Sequence, residues 1–390
     1  MLGKDTLPVG VLWFYNRKGR QSSSFEYNRE WLNSPNRFAL EPALTLTEGT
    51  FHTNNEQFLF GAIGDSAPDR WGRVLMQRAN DTGQSLTELD YLLGVNDEIR
   101  QGALRFSQVE GKYLASSDKN SIPPLIKLPE LFSASEKFLA NNETAEELRL
   151  LLVPGSSLGG ARPKTSLIDK DGSLAIAKFP RKDDDMDIVR WEAVALSLAK
   201  KAGINIPEFR LETIFKKSVL IIKRFDRING ERIPFLSAMS MLGATDNDGQ
   251  IHSYVDIANA LRQYGAQPNK DREDLWRRMT FNIMISNTDD HLRNHGFLYA
   301  DGHGWILSPA YDLNPDINKK VFATAIDYTG AQNTLDLALH NIAPFNLSLK
   351  RAKEILDEVK TAVADWHTTA KSFGISKHDS EKMKAAFKSD

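Results

Sequence analysis

The sequence N-T-D-D-H-L-R-N, residues 287–294, is followed by S-P-A-Y-D at residues 308–312. Asp289 and Asn294 stand five positions apart, and Asp312 arrives after a segment that is typical of a hairpin. This order is typical of phosphoryl-transfer enzymes. In those enzymes one carboxylate accepts the proton of the attacking hydroxyl, while an amide and a second carboxylate hold the magnesium ions that bridge ATP phosphates. The stretch therefore predicts Asp289 as the catalytic base and Asn294 and Asp312 as magnesium ligands.

The same stretch has two other interpretations. An isolated D-x-x-x-x-N is short enough to be an ordinary polar turn, and His291 and His295 invite a metal-hydrolase site. The two histidines would share a face only in a helix, and Gly296 with the strand-like residues after it argues against one. We therefore expect His291 to brace the loop by hydrogen bonding.

Composition excludes several classes of protein. The chain has 390 residues, of which 41% are hydrophobic and 26% charged, so it should fold as an ordinary globular protein of two or three domains. A net charge of -2 gives no general electrostatic reason to bind nucleic acid or an anionic membrane. The absence of cysteine excludes disulfides, thiolate catalysis, cysteine-ligated zinc and iron–sulfur centres.

Location follows from what the sequence lacks. Residues 1–5 show no basic segment followed by an apolar core, so we predict no signal peptide. No apolar run approaches the roughly 18–20 residues that a membrane-spanning helix needs. We therefore expect a cytoplasmic protein without a membrane partner.

Three domains are predicted along the chain. Residues 1–115 form an N-terminal module, and a polar segment with two prolines, residues 116–124, links it to the rest. Residues 125–228 are rich in strand patterns, and residues 229–390 are mainly helical. Within the N-terminal module we expect a helix from about Asp69 to Arg78. A second helix should start at Ser85, because Ser85 and Glu88 have the spacing of a capping box.

The middle domain has the plan of a kinase small lobe. Lys164–Ile168 and Leu174–Lys178 are predicted strands joined by a turn at Asp169–Gly172, and Val219–Ile222 is a third strand. The segment between the second and third strands has apolar residues at helical spacing, and we expect this helix to end near Gly203.

The last domain contains a predicted helix that directly precedes the catalytic stretch. A helix capped by Asp271 should end just before residue 287, and the hairpin after residue 294 should return Asp312 beside it. A late amphipathic helix is predicted from Lys350 to about Ser372.

Two further elements suit a nucleotide. Lys178 ends a strand with the sequence A-I-A-K, close to the V-A-I-K pattern whose lysine meets the α- and β-phosphates, and Glu192 on the next helix is a candidate ion-pair partner. Residues 155–160 are rich in glycine and serine, so their amides could approach phosphate oxygens, and Lys164 adds a charge. A solvent-facing lysine and a plain turn are the alternatives.

Together these residues resemble the HipA family, the serine/threonine kinase toxins of bacterial toxin–antitoxin systems. The resemblance covers nearly the whole chain, including the N-terminal module. It rests on residues 64–73 (G-D-S-A-P-D-R-W-G-R), 102–106 (G-A-L-R-F), 155–164, 287–294 and 308–312. It implies an α+β, protein-kinase-like fold of two lobes, with a β-rich small lobe, a helical large lobe and an additional N-terminal α/β module.

The resemblance also implies roles for individual residues. ATP would be bound by the loop residues Ser157, Gly159, Gly160 and Lys164, by Lys178, and by the hinge residues Lys223 and Phe225. Ser157 matches the loop serine that members autophosphorylate, which expels the loop and switches the kinase off. The charge of a phosphoserine beside ATP phosphates makes that outcome physically sensible. Lys223 departs from the acidic residue that other members carry at this position, so we expect the hinge to contact adenine mainly through its main chain.

Partners are implied in the same way. The family's usual partner is a small helix-turn-helix antitoxin that binds the operator, so we expect this chain to reach DNA only indirectly. Known protein targets of the family include an aminoacyl-tRNA synthetase. Two alternative functions stay open: a small-molecule kinase of related fold, and a catalytically silent scaffold in a repressor complex.

Overall fold

A computed structural model describes residues 1–3, 7–17, 19–54, 57–80, 83–109, 112–113, 122–155, 160–246, 248–300, 302–330 and 332–388. The chain falls into two compact units. The first comprises Met1–Asp184 and Arg210–Leu236, and the second comprises Asp185–Phe209 and Ser237–Asp390.

The first unit combines β-strands with short helices. Its strands are β1 (Gly10–Arg17), β2 (Arg20–Tyr27), β3 (Thr50–His52), β4 (Ser107–Val109), β5 (Lys112–Tyr113), β6 (Lys164–Ile168), β7 (Leu174–Lys178), β8 (Phe209–Ile214), β9 (Lys217–Lys223), β10 (Arg227–Ile228) and β11 (Glu231–Arg232). Its helices are α1 (Arg29–Asn33), α2 (Gly61–Gly64), α3 (Arg70–Arg78), α4 (Glu88–Gly94), α5 (Leu128–Leu139) and α6 (Ala145–Gly155).

Among the described residues of this unit, two sheets have more than two strands. Strands β1, β2 and β3 form an antiparallel sheet near the N-terminus. The second sheet has the order β6-β7-β9-β8, and β7 pairs antiparallel with both β6 and β9. The predicted strands at residues 164–168, 174–178 and 219–222 are therefore confirmed.

A single apolar cluster joins the second sheet to helices α3, α5 and α6. The ring of Phe132 on α5 lies 5.5 Å from that of Phe179, and the ring of Trp71 on α3 lies 5.4 Å from that of Phe138. Helix α3 belongs to the predicted N-terminal module, yet it packs into the core of the sheet. The linker at residues 116–124 stays a prediction, because residues 114–121 lie outside the described residues.

Buried charges also tie the N-terminal segment to the end of the sheet. Arg224 forms an ion pair with Asp226, and both side chains are almost fully buried. The carboxylate of Asp226 also accepts a hydrogen bond from the amide of Gly102 at 2.8 Å. The Arg224 guanidinium donates to the main-chain carbonyls of Ile99 and Arg100. Breaking such a buried pair leaves an uncompensated charge, so this cluster fixes the contact between the two segments.

The second unit is rich in helices. They are α7 (Ile188–Lys201), α8 (Ala238–Met241), α9 (Tyr254–Tyr264), α10 (Pro268–Met284), α11 (Leu335–His340), α12 (Leu349–Ala364), α13 (Trp366–Ser372) and α14 (Lys377–Met383). Strand β12 (Phe235–Ser237) stands where the chain enters the unit, and β13 (Gly296–Ala300) pairs antiparallel with β14 (Gly304–Leu307).

Helix α10 is the central helix of this unit. Leu275, Trp276, Met279 and Phe281 are completely buried along its length. Because the helix is buried along its length, the position of its C-terminal end is well defined. It ends at Met284, three residues before the candidate catalytic loop begins.

Three predicted boundaries were wrong. Helix α4 starts at Glu88 with Thr87 and Asp90 as its capping box, so Ser85 is not the cap. Helix α10 begins at Pro268, whose fixed backbone angle suits a first helical position, and Asp271 lies inside it. Residues 350–372 form two helices, α12 and α13, which meet at Asp365.

The predicted α+β class is confirmed, with strands dominating the first unit and helices the second. In the described ranges, every helix is too short or too polar to cross a lipid bilayer.

Candidate active site

The candidate catalytic loop is closed by its own main chain. After α10, Ser286 takes a left-handed backbone conformation with φ of +51°, which turns the chain sharply. The amide of His291 then donates to the carbonyl of Asp289 at 2.9 Å, and the amide of Asn294 donates to the carbonyl of His291 at 2.8 Å. These two short-range bonds make residues 289–294 a compact turn rather than an extended loop.

Asp289 and Asn294 hold different positions in this turn. The side chain of Asp289 is 64% exposed, and its Oδ1 accepts a hydrogen bond from Lys319 Nζ at 2.7 Å. Contact with Asp289 raises the pKa of Lys319, although partial burial of the ammonium opposes that. Asn294 is buried, and its Nδ2 donates to the main-chain carbonyl of Asp289 at 3.0 Å. An exposed carboxylate is thus held on a turn that a buried amide closes.

The segment that carries Asp312 runs beside this loop. The hydroxyl of Tyr311 donates to the carbonyl of Arg293 at 2.7 Å. Two residues beyond Asp312, the amide of Asn314 donates to Asn287 Oδ1 at 3.4 Å. Asp312 therefore lies between two points of contact with residues 287–293, as the hairpin argument predicts. Its φ of +59° is left-handed, a conformation that non-glycine residues adopt mainly where the surroundings demand it.

The oxygen atoms available here suit magnesium. Asn294 uses its nitrogen to bind Asp289, which turns the amide oxygen away from that carbonyl. Asp312 offers a half-buried carboxylate, whose Oδ1 lies 3.4 Å from Asn314 Nδ2. Magnesium prefers such hard oxygen donors and takes its remaining ligands from phosphate and water. Among the described residues no cluster of three or more His, Asp or Glu side chains is arranged for a metal ion.

A buried network supports the loop from below. The carboxylate of Asp290 accepts hydrogen bonds from His295 Nε2 at 3.0 Å and from the hydroxyl of Tyr254. Its main-chain carbonyl accepts from Thr324 Oγ1 at 2.6 Å. Asn282 on α10 donates to the Tyr254 oxygen at 3.1 Å. The network links the loop to helices α9 and α10 and to the residue that directly precedes β13.

Burial and charge shift the pKa values in this network. Burial raises the pKa of Tyr254 well above its ordinary value, and the neighbouring charge of Asp290 adds to the effect. Burial alone would raise the pKa of Asp290, but His295 and the Tyr254 hydroxyl outweigh it and lower that pKa. The network therefore contains a carboxylate and a neutral phenol.

Histidine bracing occurs, but through a different ring from the one expected. His295, rather than His291, contributes the ring nitrogen that bonds Asp290. Nδ1 of His291 is buried and has no hydrogen-bond partner among the described residues. His291 braces the loop with its main-chain amide and carbonyl instead.

The two lysines proposed for ATP form a cross-strand pair in the first unit. The antiparallel register places Lys164 on β6 directly opposite Lys178 on β7. Directly opposed side chains share one face of a sheet at Cβ separations of about 5 Å, and like charges there repel. Asp69, the N-cap of α3, lies 3.4 Å from Lys164 Nζ and partly balances the two charges. Burial raises the pKa of Asp69, while the charge of Lys164 opposes that shift.

Helix α3 also holds the end of the glycine-rich loop. Trp71 Nε1 donates to the carbonyl of Lys164 at 2.9 Å, and the Trp71 amide donates to the carbonyl of Gly160 at 3.4 Å. Gly160 has a φ of +92°, and a Cβ there would lie only 2.9 Å from Lys164 Nζ. Ser157 and Gly159 fall outside the described residues, so their roles stay predictions.

The remaining candidates have mixed surroundings. Lys223 Nζ lies 3.1 Å from Asp171 Oδ2 in an exposed ion pair, so its side chain is directed to the β6–β7 turn. The ring of Phe225 lies 6.5 Å from that of Phe235. Glu192 is buried on α7 in the second unit, whereas Lys178 belongs to the first. The Lys178–Glu192 pair and the adenine contacts stay predictions.

Comparison with known proteins identifies the family. A family model described as the HipA-like C-terminal domain matches residues 156–366, which is more than half of the chain. The chain belongs to the HipA family.

Curated relatives of this HipA-family chain are distant. It is 25% identical over 209 residues to a Haemophilus influenzae protein named "Putative kinase", a match to 47% of this chain and 58% of the relative. It is 27% identical over 194 residues to a protein of Sinorhizobium fredii with the same name and the suffix Y4mE, a match to 42% and 44% respectively. The chain spans about half the length of the curated relatives it matches.

A solved structure shares the fold. HipA of Shewanella oneidensis MR-1, in a complex with HipB and its operator DNA, superposes with a TM-score of 0.69 at 17% identity. The match covers 97% of this chain and 92% of that chain, so it includes the N-terminal residues. The predicted HipA-type, kinase-like fold is confirmed.

Several residues of the site were missing from the sequence prediction. Lys319, Tyr254 and Thr324 reach the catalytic loop from positions 30 to 36 residues away in sequence. No local pattern marks them. Asp69 lies within residues 64–73, which carry part of the family resemblance, but the sequence gives no sign of its contact with Lys164.

Proposed function

We propose that this chain is an ATP- and magnesium-dependent serine/threonine protein kinase and the toxin of a bacterial toxin–antitoxin system. The observation that carries the proposal is the attachment of the Asp312 segment to the loop of Asp289 and Asn294 at both of its ends. An exposed carboxylate and an amide oxygen on one loop, with a second carboxylate on the segment attached to it, are the groups that phosphoryl transfer requires.

Each residue has a distinct task in this proposal. Asp289 accepts a hydrogen bond from the hydroxyl of the protein substrate and orients its oxygen for in-line attack. Asn294 and Asp312 would hold the magnesium ions. Bound there, the ions would supply positive charge that offsets the negative charge of the phosphate groups. The network around Asp290 keeps the loop rigid, so that the attacking and leaving oxygens stay aligned.

The nucleotide is assigned to residues of the β6–β7 pair. Lys164 and Lys178 carry two positive charges on one face of the sheet, and the Asp69 carboxylate lies 3.4 Å from Lys164 Nζ. Two like charges this close repel each other, which favours a phosphate group beside them. Amides of the loop that includes Ser157, Gly159 and Gly160 would contact phosphate oxygens. The main chain near Lys223 and Phe225 would contact the adenine, and Glu192 would hold Lys178.

The toxin role rests on family membership. HipA of Shewanella oneidensis was solved with HipB and operator DNA, and we propose a small helix-turn-helix antitoxin as the partner here. DNA would be reached through that partner. The substrate is a protein, for which an aminoacyl-tRNA synthetase is the first candidate to test. Because ATP is the phosphoryl donor, we assign the reaction to the cytoplasm. Autophosphorylation at Ser157 would end the activity.

The test is to incubate the purified full chain with ATP and either magnesium or EDTA, and to weigh it by mass spectrometry. We expect the wild type to gain the mass of one phosphate with ATP and magnesium, and to gain none with ATP and EDTA. The variants Ser157→Ala and Asp312→Asn should gain none with ATP and magnesium. Labelled transfer to lysate proteins should exceed transfer to a panel of small metabolites.

Two outcomes would contradict the proposal. Transfer confined to the metabolites indicates a small-molecule kinase. No transfer of any kind, together with no ATP binding by calorimetry, indicates a scaffold in a repressor complex.

A further inference from the structure

The segment from Asp312 to Lys319 is attached to the catalytic loop at more than the two points described above. The amide of Asp316 donates to the carbonyl of Ser286 at 3.2 Å, and Asp316 Oδ2 accepts from Thr288 Oγ1 at 3.2 Å. The segment ends at Lys319, whose ammonium bonds Asp289. One stretch of chain therefore carries a candidate metal ligand at its start and the partner of the candidate base at its end.

The turn that presents Lys319 is built on Asp316. Asp316 Oδ1 accepts hydrogen bonds from the amides of Asn318 at 2.7 Å and Lys319 at 3.4 Å. Its other oxygen is bound to Thr288, the residue directly before Asp289. The same carboxylate thus fixes both the main chain of Lys319 and the approach to Asp289. The contacts of Asp316 therefore help to set the geometry of the Lys319–Asp289 ion pair, in addition to the attraction between the two charges.

The contact leaves half of the Asp289 carboxylate available. Lys319 Nζ binds Oδ1, and within the described residues the Asp289 side chain has no other partner. A contact at one oxygen restricts the rotation of the carboxylate, so its second oxygen keeps a narrower range of directions. A general base needs this kind of alignment more than it needs proximity alone.

We propose that Lys319 is a positioning residue for Asp289: it fixes Oδ1 so that Oδ2 faces the substrate hydroxyl. Because Lys319 and Asp312 lie on one segment, the orientation of the base is coupled to the metal site. The inference deepens the proposed kinase function and rests on it. It gives Lys319 no contact with substrate.

Stability alone does not account for this pair. The side chains of Lys319 and Asp289 are 58% and 64% exposed. Exposed ion pairs contribute little to folding, since water and salt screen them. A loss of Lys319 should therefore leave the fold intact and act on turnover.

The neighbouring residue provides a matched control. Lys320 is exposed, has the same charge and follows Lys319 directly. Replacing either lysine with methionine changes the net charge by the same amount. Only Lys319→Met removes the contact with Asp289, whereas Lys319→Arg keeps a cation of similar reach.

The experiment measures kcat and KM of the full chain with ATP, magnesium and a protein acceptor for these three variants. We expect Lys319→Met to lower kcat about 10- to 100-fold with KM for ATP changed less than about threefold. Lys319→Arg should recover most of the rate, and Lys320→Met should match the wild type. All should unfold at the wild-type temperature.

A double-mutant cycle makes the test specific. Adding Lys319→Met to Asp289→Asn should cost nothing further, because the lysine acts only through that carboxylate. Wild-type turnover in Lys319→Met, equal losses in both methionine variants, or additive losses in the double variant would each overturn the inference while leaving the kinase proposal standing. A wild-type chain that transfers no phosphate overturns both.

Discussion

The side-chain amide of Asn294 donates a hydrogen bond of 3.0 Å to the main-chain carbonyl of Asp289. The residue proposed to hold magnesium therefore also closes the turn that presents the proposed base. Its nitrogen and its oxygen have separate tasks, one structural and one in binding the cation. An aspartate at this position would keep an oxygen ligand but lose the donor.

Asn294→Asp should separate those two tasks. We expect the magnesium concentration for half-maximal rate to change less than about fivefold, since a carboxylate is a good ligand, while kcat falls at least about tenfold as the turn loosens. Asn294→Ala should both raise the magnesium concentration for half-maximal rate and lower kcat. Initial rates across a magnesium titration measure both quantities. Asn205→Asp, an exposed change of equal charge, is the control. Equal kcat in Asn294→Asp and the wild type would contradict the structural task.

The network beneath the loop makes a prediction about stability. Tyr254→Phe removes one donor from the buried carboxylate of Asp290 and should lower the free energy of unfolding by about 1–3 kcal/mol. Tyr328→Phe is the matched control. Its hydroxyl also bonds a carboxylate, that of Asp256, but the residue is 59% exposed, so the loss should stay within about 0.5 kcal/mol. Urea unfolding decides the matter, and equal effects in the two variants would refute the role of burial.

Glu41 in the first unit predicts a pH dependence. Burial raises its pKa from 4.5 to about 7, the amide of Ala62 opposes the shift, and Asp65 adds to it. The folded protein therefore binds more protons than the unfolded chain between these two pH values. The stability this group contributes is full below pH 4.5 and is lost as the pH rises through 7.

Glu41→Gln should remove that loss. A rise in the pKa of Glu41 from 4.5 to about 7 corresponds to about 3 kcal/mol of stability. The variant should gain most of this relative to the wild type between pH 5 and pH 8 in urea unfolding. The difference between proteins is the quantity to compare, because the N-terminal amine, with its pKa lowered to about 6, acts in the opposite direction. Exposed Glu26→Gln should keep the wild-type slope, and a Glu41→Gln slope like it would be inconsistent with this account.

Gly160 makes a prediction about the nucleotide. Alanine there would place a Cβ 2.9 Å from Lys164 Nζ in addition to adopting a left-handed backbone with φ of +92°. Gly172 has a similar φ of +80° but no neighbour within 4 Å. Both changes should cost about 1–2 kcal/mol in backbone strain. Only Gly160→Ala should raise KM for ATP, because it displaces the Lys164 ammonium. Steady-state kinetics in ATP measure this, and an equal KM in both variants would count against Lys164 as a phosphate ligand.

The sequence predicted the elements that carry the site, but not the contacts that fix it. Strand and turn patterns located β6, β7 and the hairpin after Asn294, because those signals are local. The ion pair of Asp69 with Lys164 joins residues 95 positions apart, and that of Lys319 with Asp289 joins residues 30 apart. Such contacts depend on tertiary packing and leave no trace in spacing.

Local signals also competed where boundaries were wrong. Ser85 with Glu88 and Thr87 with Asp90 both have capping-box spacing, and the second pair forms the box. Asp271 has the right residue type for a cap, but it is buried and accepts a hydrogen bond from the amide of Leu307 at 3.1 Å. The late helix divides at Asp365, where the sequence has no glycine or proline that would predict a break.

The most direct test of the central claim compares the wild type with Asp289→Asn in the rate of γ-phosphate transfer from labelled ATP. Asp289 is exposed, so the variant should unfold at the wild-type temperature and bind ATP with similar affinity. We predict a loss of phosphate transfer of about 100-fold or more, the range expected when a general base is removed. Transfer by Asp289→Asn at the wild-type rate would contradict the mechanism.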